Sequence, residues 1–80
     1  MKERSKALAI ETIEAPLPGK IVQVNASVGS HVKEGDVICT LESMKMENPI
    51  LSPVSGIVKA VQVSPAQVVK AGGIIAVIEY

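Results

Sequence analysis

Short apolar stretches, each closed by Gly, Pro, Asn or Asp, run along the chain from Ala9. The order Ala-Ile-Glu-Thr-Ile-Glu-Ala over residues 9–15 predicts a strand, which Pro16-Leu17-Pro18-Gly19 ends. Residues 20–24 predict a second strand. His31-Val32 leaves room only for a very short one, between the polar segment 25–30 and the turn-forming Lys33-Glu34-Gly35-Asp36. Residues 37–42 and 48–51 read as two further strands joined by a hairpin, with Met44 and Lys45 at its tip.

The second half of the chain repeats the first. A shift of 37 residues lays 15–42 over 52–79 without a gap and matches Pro16 with Pro53, Gly19 with Gly56, Val24 with Val61 and Ser27 with Ser64. It also matches Val32 with Val69, Lys33 with Lys70, Gly35 with Gly72, Ile38 with Ile75 and Glu42 with Glu79. Random pairing at ordinary residue frequencies would match only about two positions over such a length. Two copies of one unit, each too small to bury its own apolar face, are expected to pack about a pseudo-twofold axis. The expected result is an all-β fold, a flattened antiparallel barrel or sandwich in which each copy's strands extend the other's sheet. Gly56 is expected at a turn. The joining segment 43–51 has no counterpart in this alignment, so Lys45 falls at the joint between the copies, on a tip remote from the chain ends. Residues 1–8 are charged and polar and are expected to be a flexible tail, with residues 9–80 forming the domain.

Composition narrows the class. Val and Ile supply 21 of the 80 residues, which favours pleated strands, and with no Trp or Phe the core must be aliphatic. Eight basic residues balance eight acidic ones, leaving no surplus for phosphate, so neither nucleic acid nor an anionic membrane is an expected partner. The longest apolar runs fall far short of the roughly 20 residues of a membrane helix. The start has no apolar stretch of secretory-signal length, and the single cysteine suits a reducing compartment. A cytoplasmic location without direct membrane insertion is expected.

The chemistry-bearing residues are few. His31 pairs with Val68 in the repeat and has no nucleophile or carboxylate arranged with it; Cys39 pairs with Ala76, as a small core position would. One His and one Cys cannot build a zinc site, and Gly35-Asp36 and Gly72-Gly73 lack the spacing of a nucleotide loop. Lys45 is different. A hairpin tip suits a lysine that another protein acylates, because the amine is accessible on a long flexible stem. Nothing nearby in the sequence suggests that the chain does chemistry itself, so activation has to come from the modifying enzyme.

Here the sequence resembles the biotinyl domains of biotin carboxyl carrier proteins and of biotin-dependent carboxylases and decarboxylases. The resemblance covers residues 14–79 and rests on Ala15-Pro-Leu-Pro-Gly19, Val32-Lys-Glu-Gly-Asp36, Leu41-Glu-Ser-Met-Lys-Met-Glu47, Ser52-Pro-Val-Ser-Gly56 and a closing Val-Ile-Glu. It implies two four-stranded sheets and a non-catalytic carrier. It also implies covalent biotin on Lys45, added by a biotin protein ligase, with Met44 and Met46 as flanking recognition residues. The implied partners are biotin carboxylase and carboxyltransferase or decarboxylase subunits, between which a carboxyl group is shuttled. The gapless repeat leaves no room for the protruding thumb of many bacterial acetyl-CoA carboxylase carriers. That turns the resemblance towards carriers of decarboxylases, transcarboxylase and pyruvate- or acyl-CoA-type carboxylases. Pro49 implies an edge or an unbonded rung. A lipoyl carrier domain shares the fold and a hairpin lysine, and a structural lipoyl-like interaction module shares the fold alone. Neither alternative is expected to carry Met-Lys-Met.

Overall fold

The computed structural model describes residues 9–80; the tail expected over 1–8 lies outside the described residues. Eight strands follow one another with no helix between: β1 (Ile10–Glu14), β2 (Gly19–Val24), β3 (His31–Val32), β4 (Val37–Ser43), β5 (Met46–Leu51), β6 (Gly56–Val61), β7 (Val68–Val69) and β8 (Ile74–Glu79). They form two four-stranded antiparallel sheets, ordered β1-β8-β6-β3 and β5-β4-β2-β7. The short strands are the exchanged ones: β3 of the first copy extends the second copy's sheet, and β7 of the second extends the first's. This is the mutual extension that the repeat predicts.

Burial follows the alternation of each strand. Ile21, Ile38, Leu41, Val58, Ile75 and Ile78 are wholly inaccessible and lie between the sheets, packed with Ile13, Val32, Ile50, Val63 and Val69. Each such side chain contributes about 1.5–3 kcal/mol. Cys39 and Ala76, equivalent in the repeat, are both fully buried in this core. Burial pushes the Cys39 thiol up, away from the reactive thiolate.

The duplication extends further than the sequence shows. β1 and β5 occupy equivalent edges, with Ile13 and Ile50 37 positions apart and both buried. Only Met44 and Lys45, then, lack a counterpart within the joining segment. At the other edge the position of their turn is taken by the two ends of the described residues, where Ala9 and Tyr80 exchange backbone hydrogen bonds of 2.8 and 2.9 Å. β5 being an edge strand also accounts for Pro49, which is tolerated where one side of the ladder is free.

Two glycine positions are set by close approach. A Cβ on Gly19 would overlap the carbonyl oxygen of Glu42, and one on Gly56 would overlap that of Glu79. Gly56 is therefore the first residue of β6 pressed against β8, not the turn glycine expected from the sequence. Elsewhere the repeat breaks a backbone rule. Gly29 has φ +91° and its equivalent Ala66 has φ +73°, each donating its N–H across the sandwich, to Val58 and Ile21 respectively, at 2.8 and 2.7 Å. Left-handed backbone strains alanine by about 1–2 kcal/mol, part of which glycine returns through its freer unfolded chain. Ala66→Gly is expected to stabilise the domain by about 0.5 kcal/mol, raising the melting temperature by roughly 2–4 °C. A lower melting temperature would mean that Ala66 is unstrained.

The two ends of the sandwich differ. β1 runs to Glu14 and turns through 15–18 into Gly19, which lies beside Glu42 at the end of β4. The β4–β5 hairpin tip thus shares a pole with 15–18, and the Ala9–Tyr80 rung closes the opposite pole.

Candidate functional site

The hairpin between β4 and β5 is tighter than the sequence implies. Pairing continues through Glu42 with Glu47 and Ser43 with Met46, so β5 begins at Met46 instead of Asn48 and the turn contains only Met44 and Lys45. Both have positive φ, 54° and 66°, the sign pattern of a type I′ turn. Such a turn matches the twist of the strands but is normally built from Asn-Gly, because side chains are strained there. Met-Lys in these two positions costs about 1–2 kcal/mol per residue relative to glycine. The turn sequence is thus chosen against local stability.

What this arrangement achieves is presentation. Met44 is 91% exposed and Met46 65%, and Lys45 between them is exposed with no ion-pair partner among the described residues. All three residues named from the sequence are therefore brought together on the tip. The methionine thioethers, ordinarily core filler, here offer an adaptable apolar surface on either side of the amine. The strained two-residue turn limits the backbone conformations available to Lys45, leaving the freedom in its side chain.

Asn48, unmarked by the sequence, braces the tip from below. Its side-chain amide is shared between the carbonyls of Leu41 and Met46 at 3.4 and 3.3 Å, two long hydrogen bonds that span the ladder under the turn. Glu42 and Glu47 face each other on the exposed surface next to it, an arrangement unfavourable to the ladder itself. Their equivalents are Glu79, which pairs with Lys59 at 3.5 Å, and the apolar Ile10. His31 lies on the short edge strand β3, exposed opposite Ile57 and apart from the tip. No helix of the described residues is long and apolar enough to cross a membrane.

Comparison with known proteins bears on this site. Residues 11–78 match the family model described as biotin-requiring enzyme. The chain is 46% identical over 68 residues to a biotinylated protein TB7.3 homologue of Mycobacterium leprae, covering 85% of this chain and 96% of that protein. It is 46% identical over 66 residues to a biotin carboxyl carrier protein of Streptococcus mutans, covering 82% of this chain and 51% of that one. Among solved structures it superposes on part of the urea carboxylase of Kluyveromyces lactis with a TM-score of 0.82 and 30% identity, covering 95% of this chain and 7% of the carboxylase. The chain thus spans nearly all of the first relative, about half of the second and a small part of the carboxylase.

Proposed function

We propose that Lys45 is the biotin attachment point of this chain, which belongs to the biotin-requiring enzyme family. The domain is a biotin carboxyl carrier and not itself a catalyst. The observation that carries the choice of residue is the tip geometry: an exposed lysine held in a strained two-residue turn, flanked by two exposed methionines, at the pole away from the Ala9–Tyr80 rung.

The residues present fit a covalently tethered group. An exposed primary amine on a rigid turn can be acylated from outside, whereas a freely bound cofactor would need an enclosing pocket. A biotin protein ligase supplies the activated acyl group and removes the ammonium proton; the carrier supplies the position of Nζ. The strands hold the turn, Asn48 braces it, and Met44 and Met46 give the ligase an apolar surface to recognise. Once attached, biotin accepts and releases a carboxyl group, and tethering keeps it at high effective concentration near both enzymes it serves. Those partners are biotin carboxylase and carboxyltransferase or decarboxylase subunits. A reducing cytoplasm suits the free Cys39.

Co-expression with a biotin protein ligase is expected to add one biotinyl group per chain, read by intact-mass spectrometry. No addition, or a lipoyl addition when a lipoate ligase is supplied instead, would sink this reading.

A further inference from the structure

The internal repeat supplies its own control for a surface beside the attachment tip. Two equivalent turns, 33–36 and 70–73, have the same backbone. Gly35 and Gly72 have φ +93° and +85°, and Asp36 and Gly73 donate N–H to Lys33 and Lys70, each at 2.9 Å. The turns dock in the same way, Gly35 N–H to Ser52 and Gly72 N–H to Ala15, each at 2.8 Å. Their side chains differ. In the first turn the Asp36 carboxylate accepts the Lys33 N–H at 2.8 Å, and the Ser55 hydroxyl accepts the Glu34 N–H at 2.9 Å. In the second, Gly73 stands where Asp36 would be and Pro18 where Ser55 would be, and Ala71 replaces Glu34. The N–H groups of Lys70 and Ala71 consequently have no protein acceptor among the described residues, and both residues are exposed.

The emptied turn lies at the pole of Lys45. Val69, next to Lys70, pairs with Gly19, whose Cα is pressed against Glu42 at the base of the attachment hairpin. Two strand spacings of about 4.8 Å separate β7 from β4, so the turn and the tip fall within the roughly 800 Å² that one partner covers. The complete turn lies at the other pole, beside Ser52.

We propose that the 70–73 turn is a carboxylate-binding cradle that an acidic side chain of the biotin protein ligase enters when it modifies Lys45. The first turn shows which chemistry fits: a carboxylate oxygen on the first N–H of this backbone. The occupant is the ligase because amide formation brings its reacting atoms to within about 3–3.5 Å of Nζ, so its surface must close over this pole. Enzymes that use attached biotin meet it at the end of an arm. The 70–73 turn lacks equivalents of Asp36, Ser55 and Glu34, so it offers two N–H donors beside the exposed Lys70, with no carboxylate bonded to them among the described residues.

The inference rests on biotin attachment at Lys45, and its test separates the two. Ligase kinetics are measured with the whole chain as the varied substrate, for wild type and for Gly73→Asp, Gly73→Asn and Gly73→Ala. Asp or Asn fills the cradle from within, as Asp36 does in the first turn. Expected are an increase in KM of about tenfold for Gly73→Asp and a smaller one for Gly73→Asn, with kcat unchanged and melting no lower than wild type. Gly73→Ala, which adds bulk without an acceptor, is expected to leave KM unchanged. An unchanged KM for Gly73→Asp, or an equal rise for Gly73→Ala, overturns the cradle while leaving Lys45 attachment intact. Should Gly73→Asp not fold, Pro18→Ser, which offers a hydroxyl to the Ala71 N–H, decides by the same readout. A wild-type chain that takes no biotin overturns both.

Discussion

Gly56→Val is expected to destabilise the domain by at least about 3 kcal/mol, lowering its melting temperature by more than roughly 12 °C. The added Cβ would overlap the Glu79 carbonyl oxygen and come within 3.0 Å of the Ile78 side chain. Neither neighbour can give way cheaply. Glu79 is held in register between Ile10 on β1 and Ile57 on β6, and Ile78 is fully buried. Displacing Glu79 therefore loosens three strands together, a large part of the 5–15 kcal/mol that stabilises a typical domain. Gly19→Val is expected to do the same to β2 and β4 through Glu42 and Leu41. Thermal melts of both variants followed by circular dichroism check this. A shift of only a few degrees would show that the strands can separate at that point without loss.

Lys45→Arg is expected to abolish biotinylation, from one group per chain to none detectable, while the melting temperature stays within about 2 °C of wild type. Arginine preserves charge and length, so the exposed turn is not altered in bulk. Its guanidinium remains protonated at any accessible pH, however, and cannot attack an acyl group. Intact-mass spectrometry after co-expression with the ligase reads the outcome. Lys20, Lys33, Lys59 and Lys70 are also exposed, so exposure alone does not select a lysine. Label that persists on Lys45→Arg would move the attachment to one of these and remove the turn from the explanation.

Much of this was legible in the chain because the repeat constrains both ends of each pairing. The gapless match of 15–42 with 52–79 carries the exchange of β3 and β7 between sheets, and the 25–30 and 62–67 connections show equal lengths. The equivalence of β1 and β5 was not legible. Edge strands pair on one side only and face solvent, so their sequences have diverged until Ile13 and Ile50 alone match. Gly56 was legible as important but not for the right reason, since glycine serves both turns and close approach, and sequence does not separate the two. Lys45 stood out through Met-Lys-Met. Its backbone strain did not, because neither Met nor Lys signals positive φ. Asn48 is a long-range brace whose partner carbonyls belong to other residues, and no local pattern marks it.

The Ala9–Tyr80 rung has a mechanical consequence. The described chain enters and leaves the domain on neighbouring antiparallel strands, so tension applied through these two residues would open the β1–β8 ladder like a zipper, one rung at a time, instead of shearing all its bonds at once. Unzipping starts at the pole farthest from Lys45. Force applied there is spent first on the β1–β8 ladder, in the sheet that does not contain the β4–β5 hairpin.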